Sequence, residues 1–124
     1  MDEKHKSRVI AFDFDGVIAQ YAGFVAKDHV LPPNENVVSA MRKLRELGHR
    51  ILVHSTRGDA FLKTYCEKFD IPFDYINRRP DKEGENPGKP IAYVYIDDNS
   101  ICYMGQSADQ LVSEVESFKP YWRA

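Results

Sequence analysis

The stretch Val9-Ile10-Ala11-Phe12-Asp13-Phe14-Asp15-Gly16 decides how this chain is read. Its first four residues are apolar without alternation. Strands buried on both faces have this pattern, and they belong to parallel sheets covered by helices. The run then stops at two carboxylates and a glycine, residues that favour turns.

The same grammar recurs outward from this stretch. Arg50-Ile51-Leu52-Val53-His54 is a second apolar strand, and it stops at Ser55-Thr56-Arg57-Gly58. Asp74-Tyr75-Ile76 reads as a short third strand. Ala92-Tyr93-Val94-Tyr95-Ile96 is a fourth, ending at Asp97-Asp98-Asn99, and a short fifth is expected near Ile101 to Met104. Between the strands lie amphipathic helices. One is capped by Asn34, carries Val37, Val38, Met41, Leu44 and Leu47 on one face, and stops at Gly48. A second carries Phe61, Leu62, Tyr65, Cys66 and Phe69. The last starts at Ser107 with Gln110 as a capping box and shows Leu111, Val112, Val115 and Phe118. Tyr121 and Trp122 are expected to pack its end onto the body. Residues 78 to 90 are polar and rich in Pro and Gly, so they read as a loop.

Strands alternating with helices give right-handed βαβ units. The expected fold is α/β, a doubly wound, Rossmann-like three-layer sandwich with a mainly parallel central sheet. The 124 residues suit one domain over 1–124, with 1–7 as a charged, flexible leader. The net charge of −2 provides no general field for polyanions, so nucleic acid is an allowed but disfavoured partner. No apolar run is long enough for a bilayer. Cys66 and Cys102 lie far apart among apolar residues, as buried free thiols do in a reducing compartment, which points to the cytoplasm.

Three strands end in residues capable of chemistry, and a parallel sheet brings such ends to one edge, where ligands bind. Asp13 and Asp15, Ser55 and Thr56, and Asp97 and Asp98 therefore converge. Each has an ordinary reading alone: turn former, helix cap, or solvated loop residue. Together they need three coincidences at one edge. Clustered carboxylates repel one another unless a cation sits among them, and an all-oxygen set suits Mg²⁺.

Asp13-Phe14-Asp15-Gly16-Val17, the strand ending in Ser55, then Lys89, then Ile96-Asp97-Asp98 resemble the four motifs of the haloacid dehalogenase superfamily. The resemblance runs from Val9 to the last helix. It implies that Asp13 is the nucleophile taking a phosphoryl group, and that Asp15 is the general acid and then the base. Ser55 would hydrogen-bond the phosphoryl oxygens, and Lys89 would neutralise charge on the phosphate and on Asp13. Mg²⁺ would be held by Asp13, the backbone carbonyl of Asp15 and Asp97, with Asp98 close by. Asp15 needs a proton at the moment of attack, so its pKa is expected above that of Asp13. Its presence favours phosphoester over carbon–halogen chemistry. Thr56 competes with Ser55 and Lys82 with Lys89 for their roles. Arg57 is set either to touch substrate phosphate or to pair with a surface carboxylate. His54 is read as a core histidine or as tuning the site from behind.

Only about twenty residues separate Asp15 from the helix at Asn34, about the size of a loop or small hairpin. No large cap domain is expected. An open site suits a small phosphorylated molecule, with a second subunit of a homo-oligomer as lid, or an exposed phosphate on a larger molecule. Phe24, His29 and residues 78–86 are rim candidates, with Arg78, Arg79 and Lys82 available to an extra anionic group. The competing functions are a polynucleotide-end phosphatase and a catalytically silent scaffold of the same fold.

Overall fold

A computed structural model describes residues 7–24, 30–86 and 88–123. Residues 1–6 of the expected 1–7 leader and the rim candidate His29 lie outside the described residues. Among those described, the chain runs β1 (Val9–Asp13), α1 (Glu35–Glu46), β2 (Arg50–His54), α2 (Asp59–Lys68), β3 (Tyr75–Ile76), β4 (Val94–Ile96) and α3 (Ala108–Ser117). The four strands form one sheet in the order β3-β2-β1-β4, and every pairing is parallel. The protein is thus α/β with an all-parallel sheet, compatible with a Rossmann-like fold.

The unalternating apolar runs explain why β1 and β2 are the interior strands. Side chains of a strand point to opposite faces in turn. Ile10 and Phe12 of β1, with Ile51 and Val53 of β2, enter a large core shared with Val38 and Met41 of α1 and with Leu62, Tyr65 and Cys66 of α2. Val9, Ala11 and Leu52 meet Tyr75 and Ala92 on the other face. Each fully buried Leu, Ile or Phe contributes about 1.5–3 kcal/mol relative to exposure.

The helix ends follow local chemistry. Gly48 takes a φ of 94°, a left-handed conformation that costs a side-chain-bearing residue energy, and its N–H donates to the Arg45 carbonyl. Asn34 starts α1 through its backbone carbonyl, which accepts from Val37 and Val38; its side chain makes no capping bond, contrary to expectation. Ser107 does cap α3, with Oγ accepting from the Gln110 N–H at 3.2 Å.

The second half departs from the sequence reading. The fourth strand shrinks to three exposed residues at the sheet edge. The fifth is not formed: residues 101–104 are irregular. α3 forms where expected but buries none of its residues, and Val112 and Val115 face solvent. Cys102 is exposed, correcting the reading of both thiols as buried; Cys66 is buried, which pushes its pKa up to about 11. Amphipathic spacing says that a helix has an apolar side; it does not say that the body offers a partner for it. Among the described residues, no helix is long and apolar enough to cross a membrane.

Candidate active site

Register brings the strand ends together. Asp13 pairs with His54, Phe12 with Ile96, and Val53 with Ile76. The residues just beyond these pairs therefore share the carboxyl edge of the sheet. Asp13, Asp15, His54, Ser55, Thr56, Asp97 and Asp98 all line one cavity of about 690 Å³.

The turn after β1 separates the two motif carboxylates. Phe14 between them is fully buried, with its ring edge-on to Tyr65 at 4.8 Å, so Asp13 and Asp15 are presented on the opposite side. Gly16 follows with φ 84°, and a Cβ there would collide with the Asp98 carboxylate. Glycine is required here twice, by conformation and by the approach of Asp98.

Asp13, Asp97 and Asp98 offer ligand oxygens that all lie within 4.8 Å of one another. Burial pushes the Asp13 carboxyl up to a pKa of about 8, helped by its hydrogen bond with Asp98 and the charge of Asp97; a backbone N–H bond at Phe14 opposes the rise. A cation would relieve this repulsion, so the donor set fits a hard, oxygen-seeking divalent ion such as Mg²⁺. The carboxylate of Asp15 does not join this group.

Asp15 instead meets Arg57 in a two-pronged ion pair, Nε to one oxygen at 2.8 Å and Nη2 to the other at 3.0 Å. The two side chains are only 26% and 12% exposed, so this is not a surface pair. Burial, with the neighbouring Asp98 and Asp97, pushes the Asp13 carboxyl up, while Asp15 faces a guanidinium.

Ser55 Oγ accepts from the Arg57 N–H at 3.1 Å, which tightens the turn into α2. Ser55 and Thr56 both line the cavity, so the structure leaves both beside Asp13. His54 is half-buried and lines the same wall; it is not a core histidine. Lys89 is not brought to the cavity among the described residues. Its ammonium lies 5.2 Å from the Tyr95 ring centroid, and Lys89 lines a small cleft with Lys82, Arg78 and Arg79. Gly88, its neighbour, does reach the cavity wall. Arg79 is buried and committed to Asp81 and the Ile91 carbonyl, so it serves the loop rather than an incoming anion.

Two contributions were missed in the sequence. Asn77, at a φ of 63° after β3, accepts from the Ser55 N–H and donates to the Arg57 carbonyl and to Asp59. It braces the whole Ser55–Asp59 turn; a lone Asn at a strand end was the available signal. The C-terminal segment is the other. Trp122 Nε1 donates to Asp98 at 2.5 Å, Tyr121 Oη donates to the Gly16 carbonyl at 2.7 Å, and Phe118, Pro120, Trp122 and Arg123 line the cavity. Tyr121 and Trp122 therefore close onto the site itself.

No family model and no curated protein matches the chain. A solved structure of a conserved protein from Bacteroides thetaiotaomicron is similar over 90% of each chain, with a TM-score of 0.63 and 22% identity. At that identity the likeness supports the α/β fold and nothing finer.

Proposed function

We propose that this chain is a Mg²⁺-dependent phosphomonoesterase of the haloacid dehalogenase type, a capless, doubly wound sandwich that carries the phosphoryl group on Asp13. The observation that carries this reading is the pair of carboxylates two residues apart in different surroundings. Asp13 stands among the acidic cluster, and Asp15 stands across the same cavity against Arg57.

In this reading an Asp13 oxygen attacks phosphorus, and the bond from phosphorus to the ester oxygen breaks with its electron pair leaving on that oxygen. Asp15, ionised while it pairs with Arg57, parts from that fork, takes up a proton from solvent as the substrate enters, and gives this proton to the leaving oxygen. Asp15 then takes a proton from water as the water attacks the aspartyl-phosphate, freeing Asp13 and inorganic phosphate. Asp13, Asp97 and Asp98 would hold Mg²⁺, joined by the Asp15 backbone carbonyl that the family resemblance implies. When bound, the ion supplies positive charge against the phosphoryl oxygens. Ser55 and Thr56 offer hydroxyls to those oxygens. Trp122 keeps Asp98 oriented, and Arg123 adds a cation at the cavity wall.

A silent scaffold draws on one observation, the placement of Lys89 away from Asp13. One assay separates the two. An aryl phosphate is incubated with and without Mg²⁺, using wild type and Asp13→Asn. Metal-dependent turnover lost in the variant supports the phosphatase; binding of Mg²⁺ without turnover of any phosphomonoester supports the scaffold.

A further inference from the structure

A second cavity of about 550 Å³ adjoins the first and shares Asp15, Tyr21 and Thr56 with it. Its remaining lining is Phe24, Arg57, Gly58 and Phe61. The two chambers differ in chemistry. The first holds the acidic cluster. Among the described residues, the second has three aromatic rings, and its one cation is paired with Asp15.

The rings are placed differently. Phe61 is half-buried beneath the Arg57 guanidinium, whose carbon lies 4.9 Å from the ring centroid. Tyr21 stands edge-on to Trp122 at 4.8 Å, so its ring is fixed at the boundary of the chambers. Phe24 is 73% exposed, a large apolar side chain at the mouth. A chamber of this size suits a drug-sized organic group, and aromatic walls favour a flat ring over a polyhydroxylated one.

We propose that the Tyr21–Phe24–Phe61 chamber receives the leaving group of the substrate, and that this group carries a planar aromatic ring. This rests on the phosphatase reading above. Asp15 lines both chambers, which is where an acid must stand to protonate the oxygen joining phosphoryl group to leaving group. A phosphoryl group beside Asp13 then sends its ester substituent past Asp15 into the aromatic chamber. Phosphomonoesters of small polar alcohols leave that chamber filled with water.

The test compares benzyl phosphate with ethyl phosphate, both esters of primary alcohols, so that leaving-group reactivity does not mimic recognition. Wild type is expected to show a kcat/KM for benzyl phosphate roughly tenfold or more above that for ethyl phosphate. The ratio is expected to fall about fivefold in Phe24→Ala and again in Phe61→Leu. Equal kcat/KM for the two esters in wild type, or a ratio unmoved in both variants, overturns the proposal. If wild type hydrolyses neither ester, turnover no longer reads the chamber, and binding decides it separately from the phosphatase reading. Benzylphosphonate and ethylphosphonate are then titrated while following fluorescence of Trp122, the single tryptophan, beside Tyr21. Tighter benzylphosphonate binding that weakens in Phe24→Ala upholds the chamber; equal or absent binding overturns it.

Discussion

The two halves of the cavity are built by different means. Asp13, Asp15 and the Ser55–Arg57 turn hang from β1 and β2, whose side chains are mostly buried. Asp97 and Asp98 follow β4, an exposed three-residue edge strand; Asp98 is tied down by Trp122 and by the approach of Gly16, and Asp97 accepts from the Asn99 N–H. The first half is positioned by packing, the second by single hydrogen bonds, one of them from the C-terminal segment. Packing is spread over many contacts, whereas a tether of one or two bonds concentrates its effect in single atoms.

The sharpest way to break this comparison is to strike the packed half at its chemistry. Asp15→Asn keeps the shape but removes the transferable proton and the charge facing Arg57, so kcat is expected to fall about 10²–10⁴-fold and the melting temperature to drop by a few degrees. Steady-state kinetics beside thermal melting check both. Full turnover in that variant would remove Asp15 from acid/base duty.

Stability should divide the molecule along the same line. Leu52→Ala opens a cavity at a fully buried position of β2 and is expected to cost about 2–5 kcal/mol in denaturant unfolding. Val112→Ala on exposed α3 should cost about 0.5 kcal/mol or less. Similar costs would mean that α3 is packed after all.

The tethered half is sharpened by Trp122→Phe. The ring against Tyr21 is kept, but the donor to Asp98 is lost. Mg²⁺ affinity should weaken about tenfold, as it does when a ligand loses its orienting partner. The rise in melting temperature with added Mg²⁺ reads this without any substrate.

The smallest expected effect concerns Asp13 in metal-free protein. Its folded pKa of about 8 lies above an unfolded value near 3.8. Below about pH 4 both states hold the proton, so there is no penalty. As pH rises toward 8 the unfolded chain gains by releasing it and the folded chain does not, so stability falls. Asp13→Asn removes this loss. Melted in EDTA, the variant should exceed wild type by a few degrees at pH 8 and by less at pH 5. A gap that is constant with pH would assign the difference to packing.

The sequence was most legible where burial is two-sided. Val9–Phe12 and Ile51–Val53 could be read as strands because each run is short, unalternating and bounded by turn residues, and the parallel register then put Asp13 and Ser55 at one edge. Ala92–Ile96 looked equally apolar, yet it sits at an edge, because pattern alone does not reveal how many neighbours a strand finds. The partner of Asp15 was hidden for a related reason: Arg57 lies 42 residues away, and which carboxylate it meets is set only by the folded turns after β1 and β2. Trp122 packs as expected, against Tyr21, and also donates to a candidate ligand, which spacing could not show; Lys89, read as catalytic, lies against Tyr95.

The central claim is that Asp13 becomes covalently phosphorylated. Its most direct test is an acid quench during turnover of a phosphomonoester with Mg²⁺, followed by peptide mass spectrometry. The account predicts a phosphoryl group on Asp13 in the peptide spanning β1, dependent on Mg²⁺ and more abundant when Asp15→Asn slows its hydrolysis. Sustained turnover with no phosphorylated Asp13 in either protein, or with the group on another residue, contradicts it.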